Sequence, residues 1–396
     1  MSDVPQRGFI IDEFTRRLAA IQSQMSAQGI GALLLTTEHD IFYFSGFLSQ
    51  FWQSPTRPWY VIIPDQGRPI AVIPEIGVNA MSSEFIQDIR SWPAPHPEDD
   101  GISLLTDALL EVLSRSVSSV IGLNKGPETH IRMPLSDFER LGNNLSQARS
   151  NFKMIDATPS IRAVRMIKSE PEIDKIRYVA QCASDVFDRL FLFSDIGMTD
   201  AQLFRTFATE CLSAGVDTVS YLVGGAGQHG YNDIISPPSG RRLQDGDVLI
   251  FDTGCTFDGY FCDFDRNYGF GAVNDAAKRA YQAVWQATEA GLKMARPGNT
   301  CAQVFSTMHA VLEKAGAIGE TVGRYGHGLG IQLTEPPSFA AWEHTVLREG
   351  MVMTLEPGMF YRPGKMIVHE ENIVIRKAGP ELLSRRAPPE LPIKLS

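Results

Sequence analysis

The sequence lacks the features that send a chain into a membrane or out of the cell. No apolar run is long enough to span a bilayer. The segment 1–17 is polar and charged, without the apolar stretch and small-residue cleavage site of a signal peptide. The chain has five cysteines and no CxxC pair, which argues against a disulfide framework. We therefore expect a cytoplasmic protein with reduced, buried thiols.

Positive charge is also in short supply. The 36 Lys and Arg residues are outnumbered by 46 Asp and Glu residues, for a net charge of −10 at pH 7, and no concentrated basic run reverses that balance. We therefore expect neither a nucleic-acid partner nor a membrane partner. At 396 residues the chain is long enough for two domains and a sizeable core.

The order of predicted elements divides the chain in two. In the first part strands and helices alternate, which is typical of an α/β domain. The predicted helices there cover 12–28 and 102–113, and the strands cover 32–35, 59–63, 69–73 and 120–123. The second part has longer helices, predicted from Ser169 onward and over 200–214, 275–294 and 300–314. We predict domains at 1–157 and 158–396.

A pair of aspartates in the second part is the first indication of a functional site. The apolar run 248–251 ends on Asp252, as expected of a buried strand with a carboxylate at its tip. Turn signals at 253–254 and 258–259 predict a hairpin whose second strand brings Asp263 beside Asp252. Adjacent carboxylates repel each other unless a cation lies between them, and oxygen ligands suit Mn, Fe, Co or Zn. Ordinary turn aspartates explain this stretch equally well, so the rest of the chain must decide.

Three later stretches supply more metal-ligand chemistry. His327 lies among glycines in Gly-His-Gly-Leu-Gly, Glu356 ends an apolar run before Pro-Gly, and Glu371 lies between two apolar strand halves. An acidic residue in a buried strand is costly unless it is paired or bound to a metal. Each has an ordinary explanation alone, but the ordered set of five is unusual.

The series Asp252, Asp263, His327, Glu356 and Glu371 resembles the metal ligands of the aminopeptidase P, prolidase, methionine aminopeptidase and creatinase superfamily. The matching motifs are Gly-Tyr-x-x-Asp-x-x-Arg, Gly-His-Gly-x-Gly and Leu-Glu-Pro-Gly, and the resemblance covers the whole chain. It implies an α/β (α+β) fold, with a creatinase-like N-terminal α/β domain before a C-terminal pita-bread metallopeptidase domain. It also implies two divalent metal ions, which activate water and polarise a substrate oxygen, and a homodimer.

The sequence departs from that family at three positions. Two histidines of the family peptidases, which bind the scissile carbonyl and move protons, correspond here to Ile235 and Thr334. Isoleucine does neither, and threonine is a poor general base. Asp265 stands where the family usually has threonine. Our first hypothesis is therefore a metal-dependent lyase, similar to the dimethylsulfoniopropionate (DMSP) lyases on this fold, which releases dimethyl sulfide from a small zwitterion.

That hypothesis requires a base and a binding face for a cationic headgroup. The candidate bases are Asp233, Asp265, Glu335, Tyr231 and Tyr361. Aromatic faces attract cations, and the candidates for this role are Trp52, Trp59, Tyr60 and Tyr231. Tyr361 is also a candidate for the substrate pocket.

The alternatives come from other classes of protein. A Xaa-Pro dipeptidase or aminopeptidase would use His229 or Glu335 in place of the missing histidines, and Arg57 or Arg362 would bind the carboxylate of a dipeptide. A non-peptide amide or amidine hydrolase would resemble creatinase or ectoine hydrolase. A binding module without catalysis would resemble the histone-chaperone relatives, although such a protein need not keep all five ligands.

Overall fold

A computed structural model describes residues 3–54, 58–319 and 323–395. The chain forms two compact units. One contains 6–165, and the other contains 166–396 together with the first five residues. Arg57, a predicted substrate ligand, lies outside the described residues. Among the described helices, none combines the length and the apolar character needed to cross a membrane.

The N-terminal unit is built on a six-stranded mixed sheet of order β4-β3-β2-β1-β5-β6. Strand β2 is antiparallel to β1 and β3, and the other pairs are parallel. The strands are β1 Ala32–Leu35, β2 Tyr60–Pro64, β3 Ile70–Pro74, β4 Asp88–Trp92, β5 Val120–Leu123 and β6 Lys153–Asp156. The helices are α1 Ile11–Gln28, α2 Glu38–Ser45, α3 Val78–Met81, α4 Ile102–Arg115, α5 Leu135–Ala148 and α6 Thr158–Met166.

Burial explains these elements. Every residue of β1, β2 and β3 is buried, as expected of central strands covered on both faces. Helices α4 and α5 pack their apolar faces, including Leu105, Leu109 and Leu141, against this sheet. Helix α1 ends at Gly29, whose φ of 65° is the left-handed conformation that favours glycine after a helix.

The C-terminal unit has more strands and contains the two longest helices, with 19 and 20 residues. The helices are α7 Glu170–Asp188, α8 Asp200–Ala214, α9 Asp275–Met294 and α10 Cys301–Lys314. The first six strands of this unit are β7 Thr218–Gln228, β8 Asp247–Phe257, β9 Tyr260–Phe261, β10 Phe264–Phe270, β11 His327–Gly328 and β12 Glu335–Ser338. The remaining strands are β13 Val352–Leu355, β14 Gly358–Arg362, β15 Lys365–Val368, β16 Glu371–Arg376, β17 Gly379–Leu382 and β18 Ile393–Lys394.

Two sheets of this unit carry the acidic and histidine motifs of the sequence. One has the order β18-β10-β8-β7, with β9 paired to β8, and the other has the order β12-β11-β13-β16-β17. Strands β14 and β15 form a separate hairpin. The first sheet places Phe251 of β8 against Phe204 and Phe207 of α8, with ring centroids 4.5 and 5.1 Å apart. Because side chains alternate along a strand, the next residue, Asp252, projects from the opposite face.

The predicted fold class is confirmed, and the sequence patterns located six of the helices and several of the strands. Helices α8 and α9 have the predicted bounds. Helix α7 begins after Ser169, and the Glu172 Oε2 atom accepts a 2.8 Å hydrogen bond from the Ser169 backbone N–H, as in a capping box. One turn prediction is wrong, because 253–254 lies inside β8. The turn is at Asp258 and Gly259, which both have positive φ, as a two-residue hairpin connection requires.

Candidate metal centre

The hairpin of β8, β9 and β10 positions the two aspartates. Asp252 lies within β8, and Asp263 lies between β9 and β10. The side chain of Asn372 holds the Asp263 backbone from both sides, because its Oδ1 accepts from the Asp263 N–H at 2.9 Å and its Nδ2 donates to the Asp263 carbonyl. The backbone that carries Asp263 is therefore fixed by the neighbouring strand β16.

His327 presents one ring nitrogen to these carboxylates. Its Nδ1 donates to the Gly328 carbonyl oxygen at 2.9 Å, which leaves Nε2 as the unprotonated nitrogen of a neutral ring. Nε2 lies 3.4 Å from Asp263 Oδ2 and 3.9 Å from Glu356 Oε1. Burial lowers the pKa of His327, although Glu356 opposes this effect. A neutral, oriented imidazole is the form that binds a divalent metal.

Glu370 completes the buried group. Ligand atoms of Asp263, His327 and Glu370 all lie within 4.8 Å of one another, and all three residues are buried. Glu370 Oε1 is buried and has no hydrogen-bond partner among the described residues, and the same holds for Asp252 Oδ1. Unpaired buried carboxylate oxygens are costly without a cation.

Electrostatics support the same interpretation. Burial, followed by repulsion from Glu356, raises the pKa of Asp252 to about 7. Burial and repulsion from the neighbouring acids raise the pKa values of Asp263 and Glu370 well above their usual range. A divalent cation would remove this repulsion, and the oxygen-rich donor set with one imidazole fits such an ion.

Glu356 lies at the more open side of the group. It follows β13, and its side chain is 23% exposed. The Arg324 Nε atom lies 3.6 Å from Glu356 Oε1. Glu356 therefore reaches both the buried imidazole and a cationic group at the opening.

Glu371 does not join this group, although the sequence analysis chose it as the fifth ligand. Its Oε2 accepts from Arg266 Nη2 at 2.9 Å, and its Oε1 accepts from Arg386 Nη1 at 3.2 Å and from the Ala387 N–H at 2.9 Å. Burial alone would raise the pKa of Glu371, but Arg266 and its other cationic neighbours lower it. The carboxylate is saturated by its own partners, and it is Glu370, not Glu371, that lies with Asp263 and His327.

Asp265 faces the same side of the sheet as Asp252. The two residues are directly paired across β10 and β8. Asp265 is buried, accepts a 3.3 Å hydrogen bond from Asn267 Nδ2, and has its pKa raised well above the usual range by burial and by Asp252. Of the predicted catalytic residues, Asp265 is the one that the structure places beside the metal-ligand candidates.

The structure does not bring His229 to this group. Gln228 pairs with Asp247, five residues before Asp252 on β8, a distance of roughly 16 Å along a strand. The His229 ring instead lies against Gly246. His229 therefore does not replace a histidine near Asp252.

The other candidate bases are already engaged. The Tyr231 hydroxyl donates to Asn267 Oδ1 at 2.8 Å and accepts from the Val368 N–H at 2.9 Å. Asp233 is exposed and caps a turn by accepting from the Ile235 N–H at 2.9 Å, and its turn contacts lower its pKa. Glu335 is buried in an ion pair with Lys168 at 2.9 Å. None of these three is an available base.

The predicted aromatic face is part of the N-terminal core. Trp59 and Tyr60 are fully buried, and Trp52 packs against Trp59 with ring centroids 6.1 Å apart. The chain's own Arg132 lies 4.9 Å from the Trp52 ring centroid. These faces are therefore not open to a substrate cation within this unit. In the C-terminal unit, the Tyr361 hydroxyl donates to the His229 carbonyl.

Sequence reasoning missed two residues near the group. Glu370 precedes Glu371 in the same apolar context, so the pattern offered no way to choose between them. Tyr221, in β7, is half-buried and lies on the face of the sheet that carries Asp252, because it pairs with Gly254, two residues further along β8. Burial, followed by the charge of Asp252, raises the pKa of Tyr221. No motif in the sequence marked this tyrosine.

Comparison with known proteins gives a consistent result. Residues 174–377 match the model of metallopeptidase family M24, and residues 17–167 match the creatinase/prolidase N-terminal domain. A Mycobacterium tuberculosis protein named probable dipeptidase PepE is 28% identical over 370 residues, which cover 93% of each chain.

Solved structures share the fold over the full length. The dipeptidase PepE from Mycobacterium ulcerans is 27% identical, with a TM-score of 0.83, and the match covers 98% of this chain and 99% of that one. The prolidase from Pyrococcus horikoshii is 22% identical, with a TM-score of 0.79 over 94% of this chain and 99% of that one, and this likeness concerns the fold. None of the three proteins compared here is named as a lyase.

Proposed function

The chain belongs to metallopeptidase family M24, and we propose that it is a metal-dependent hydrolase that cleaves dipeptides. The main observation behind this proposal is the buried group of Asp263, His327 and Glu370, whose ligand atoms lie within 4.8 Å of one another. The names of the mycobacterial relatives support a dipeptide as the substrate. This proposal replaces the lyase hypothesis, which has no support from those relatives.

We propose Asp252, Asp263, His327, Glu356 and Glu370 as the ligands of two divalent ions. The family implies divalent metal ions, and the unpaired oxygens of Asp252 and Glu370 fit them. Bound there, two ions supply an activated water and polarise the carbonyl to be cleaved. Mn, Fe, Co and Zn all suit this donor set.

The chain's own residues hold this arrangement in place. Arg266 is buried and donates to the Asp265 carbonyl at 2.6 Å and to the Glu370 carbonyl at 2.8 Å. One guanidinium thus fixes the backbone at Asp265 in β10 and at Glu370, which immediately precedes β16. The buried pair of Lys168 and Glu335 likewise fixes the segment after His327, because Glu335 Oε1 also accepts from the Gln332 N–H at 3.2 Å.

The test is a paired substrate assay on one preparation. Protein stripped of metal and reloaded separately with Mn, Fe, Co and Zn would be given Gly-Pro, Gly-Gly and DMSP. Released amino acids and headspace dimethyl sulfide would then be measured. We expect dipeptide hydrolysis with at least one metal, and loss of about 100-fold or more in Asp263→Asn.

A control variant and two contradicting outcomes complete the test. His229→Ala is the matched control, and it should retain activity within about twofold, because His229 follows Gln228, whose partner Asp247 lies roughly 16 Å along β8 from Asp252. Dimethyl sulfide without amino-acid release would overturn the proposal in favour of a lyase. Hydrolysis that survives Asp263→Asn would show that the activity lies elsewhere.

A further inference from the structure

Hydrolysis of a peptide bond needs a hydrogen-bond donor aimed at the carbonyl oxygen. Water adds to the carbonyl carbon, a carbon–oxygen bond forms, and the carbonyl oxygen takes the negative charge. The carbon–nitrogen bond then breaks, and the amine leaves with a proton. A donor that meets the charged oxygen stabilises this step most. Neither Ile235, which is 73% exposed, nor Thr334, which is exposed, supplies an imidazole for it.

Strand register places Tyr221 on the face of the sheet that carries Asp252. Tyr221 pairs with Gly254, and Val223 pairs with Asp252. Gly254 is two residues from Asp252, so both project from the same face. The Tyr221 side chain therefore leaves β7 on the face that carries Asp252 of β8, and the α8 helix packs on the other face of the sheet.

Gly254 makes room for this ring. A Cβ atom on Gly254 would lie 3.0 Å from Tyr221 Cβ and 2.4 Å from Leu333 Cδ1. Since glycine has no Cβ, Tyr221 and Leu333 converge over this position. Leu333 immediately precedes Thr334, so the segment after His327 closes against the tyrosine.

The side chain of Tyr221 shares its face of the sheet with Asp252 and is near the acidic group. Burial, followed by the charges of Asp252, Asp263, Glu370 and Glu356, raises the pKa of its hydroxyl. The side chain is half-buried, so its ring is anchored while a ligand retains access to it. A phenol O–H is a strong, neutral donor at this place.

We infer that Tyr221 is a catalytic residue that donates a hydrogen bond to the carbonyl oxygen of the scissile peptide bond. The inference rests on the proposed dipeptidase function and names the donor for it. Tyr221 keeps its proton throughout, because its part is to stabilise charge on the oxygen. A role confined to orienting Asp252 would instead act through the metal.

The test compares hydroxyl deletions on the two faces of the same sheet. Tyr221→Phe should lower kcat for Gly-Pro about 100-fold, with KM changed less than about threefold and bound metal unchanged. Tyr178→Phe is the matched control, because its ring packs against Phe257 at 4.6 Å on the side of the helices. It should retain kcat within about twofold.

A rescue variant separates catalysis from structure. Adding Thr334→His to Tyr221→Phe installs a donor on the neighbouring segment, and we expect at least a tenfold gain in kcat over Tyr221→Phe alone. The inference is overturned if Tyr221→Phe keeps kcat within threefold, or if its loss of kcat matches a loss of bound metal. Failure of the metal-loaded wild type to hydrolyse any dipeptide would instead overturn the proposed function, and this inference with it.

Discussion

Glu370 and Glu371 are consecutive residues whose side chains leave the backbone on opposite sides. Glu370 joins Asp263 and His327 in the buried acidic group, whereas Glu371 pairs with Arg266 at 2.9 Å. Among the residues that the structure describes, one oxygen of the first carboxylate has no hydrogen-bond partner, whereas both oxygens of the second have partners. Glu370 is thus suited to bind a metal, whereas Glu371 is suited to stabilise the surrounding structure.

Glutamine substitutions at these two positions should separate the two roles. Glu370→Gln should weaken metal binding at least tenfold, because it removes a charged ligand. Glu371→Gln should keep metal binding within about threefold but destabilise the fold by about 3 kcal/mol, because Arg266 would lose its buried partner. Metal titration and urea unfolding measure the two effects. Equal metal binding by Glu370→Gln and the wild type would contradict the proposed ligand set.

The acidic group should make the metal-free protein sensitive to rising pH. Burial and repulsion raise the pKa of Asp252 to about 7 and those of Asp263 and Glu370 well above their usual range. Between about pH 4 and pH 7 the folded state therefore holds protons that the unfolded chain has released, so stability falls as the pH rises. Bound metal removes this repulsion.

Thermal unfolding at two pH values tests that expectation. The midpoint of the metal-free protein should be lower at pH 8 than at pH 5, and added metal should raise it by at least about 5 °C more at pH 8 than at pH 5. Asp252→Asn in the metal-free state should reduce the dependence on pH. A gain from metal that is equal at both pH values would contradict a buried, mutually repelling group.

A carboxylate of the N-terminal unit should have the opposite dependence on pH. Asp40 is fully buried and accepts from Arg165 Nη1 at 2.8 Å, Thr37 Oγ1 at 2.7 Å and Asn124 Nδ2 at 2.6 Å. Burial would raise its pKa, but His39, Arg165 and Thr37 lower it overall. Its contribution to stability is complete above the ordinary aspartate pKa of about 3.9 and is lost as the pH falls through the lower, folded value.

Urea unfolding of Asp40→Asn should show this directly. At pH 7 the variant should be less stable than the wild type by about 3 kcal/mol, because Arg165 loses its buried partner. The difference should shrink as the pH is lowered from 5 to 3. Asp107→Asn, at an exposed position of α4, serves as the control and should match the wild type at every pH. A constant difference for Asp40→Asn would rule out the titration.

The sequence was most informative where local chemistry sets the structure. Helix α8 has the predicted bounds, and Thr199 caps its start while Gly215 follows its last turn in the left-handed conformation. The order of the acidic motifs predicted the family and the fold. Short strands such as β9 and β11 have only two residues, too few for any periodic pattern.

The remaining errors have a common cause in contacts that are distant in sequence. Gly254 looked like part of a turn, but it stays within β8 because Tyr221 and Leu333 occupy the space that a side chain would need. The choice between Glu370 and Glu371 depends on which face Arg266 covers, and Arg266 is more than 100 residues earlier. Trp59 was predicted to be available to a ligand, because the sequence does not indicate that the aromatic residues around it pack on one another.

Strand β8 has different surroundings on its two faces. Phe251 packs into the rings of α8, and Asp252, the following residue, faces the acidic group. A strand moves as a whole, so any loosening between the sheet and this helix also changes where the carboxylate stands. The apolar layer behind the sheet therefore determines how precisely the ligands are positioned. Substitutions among those phenylalanines would change metal selectivity as well as stability.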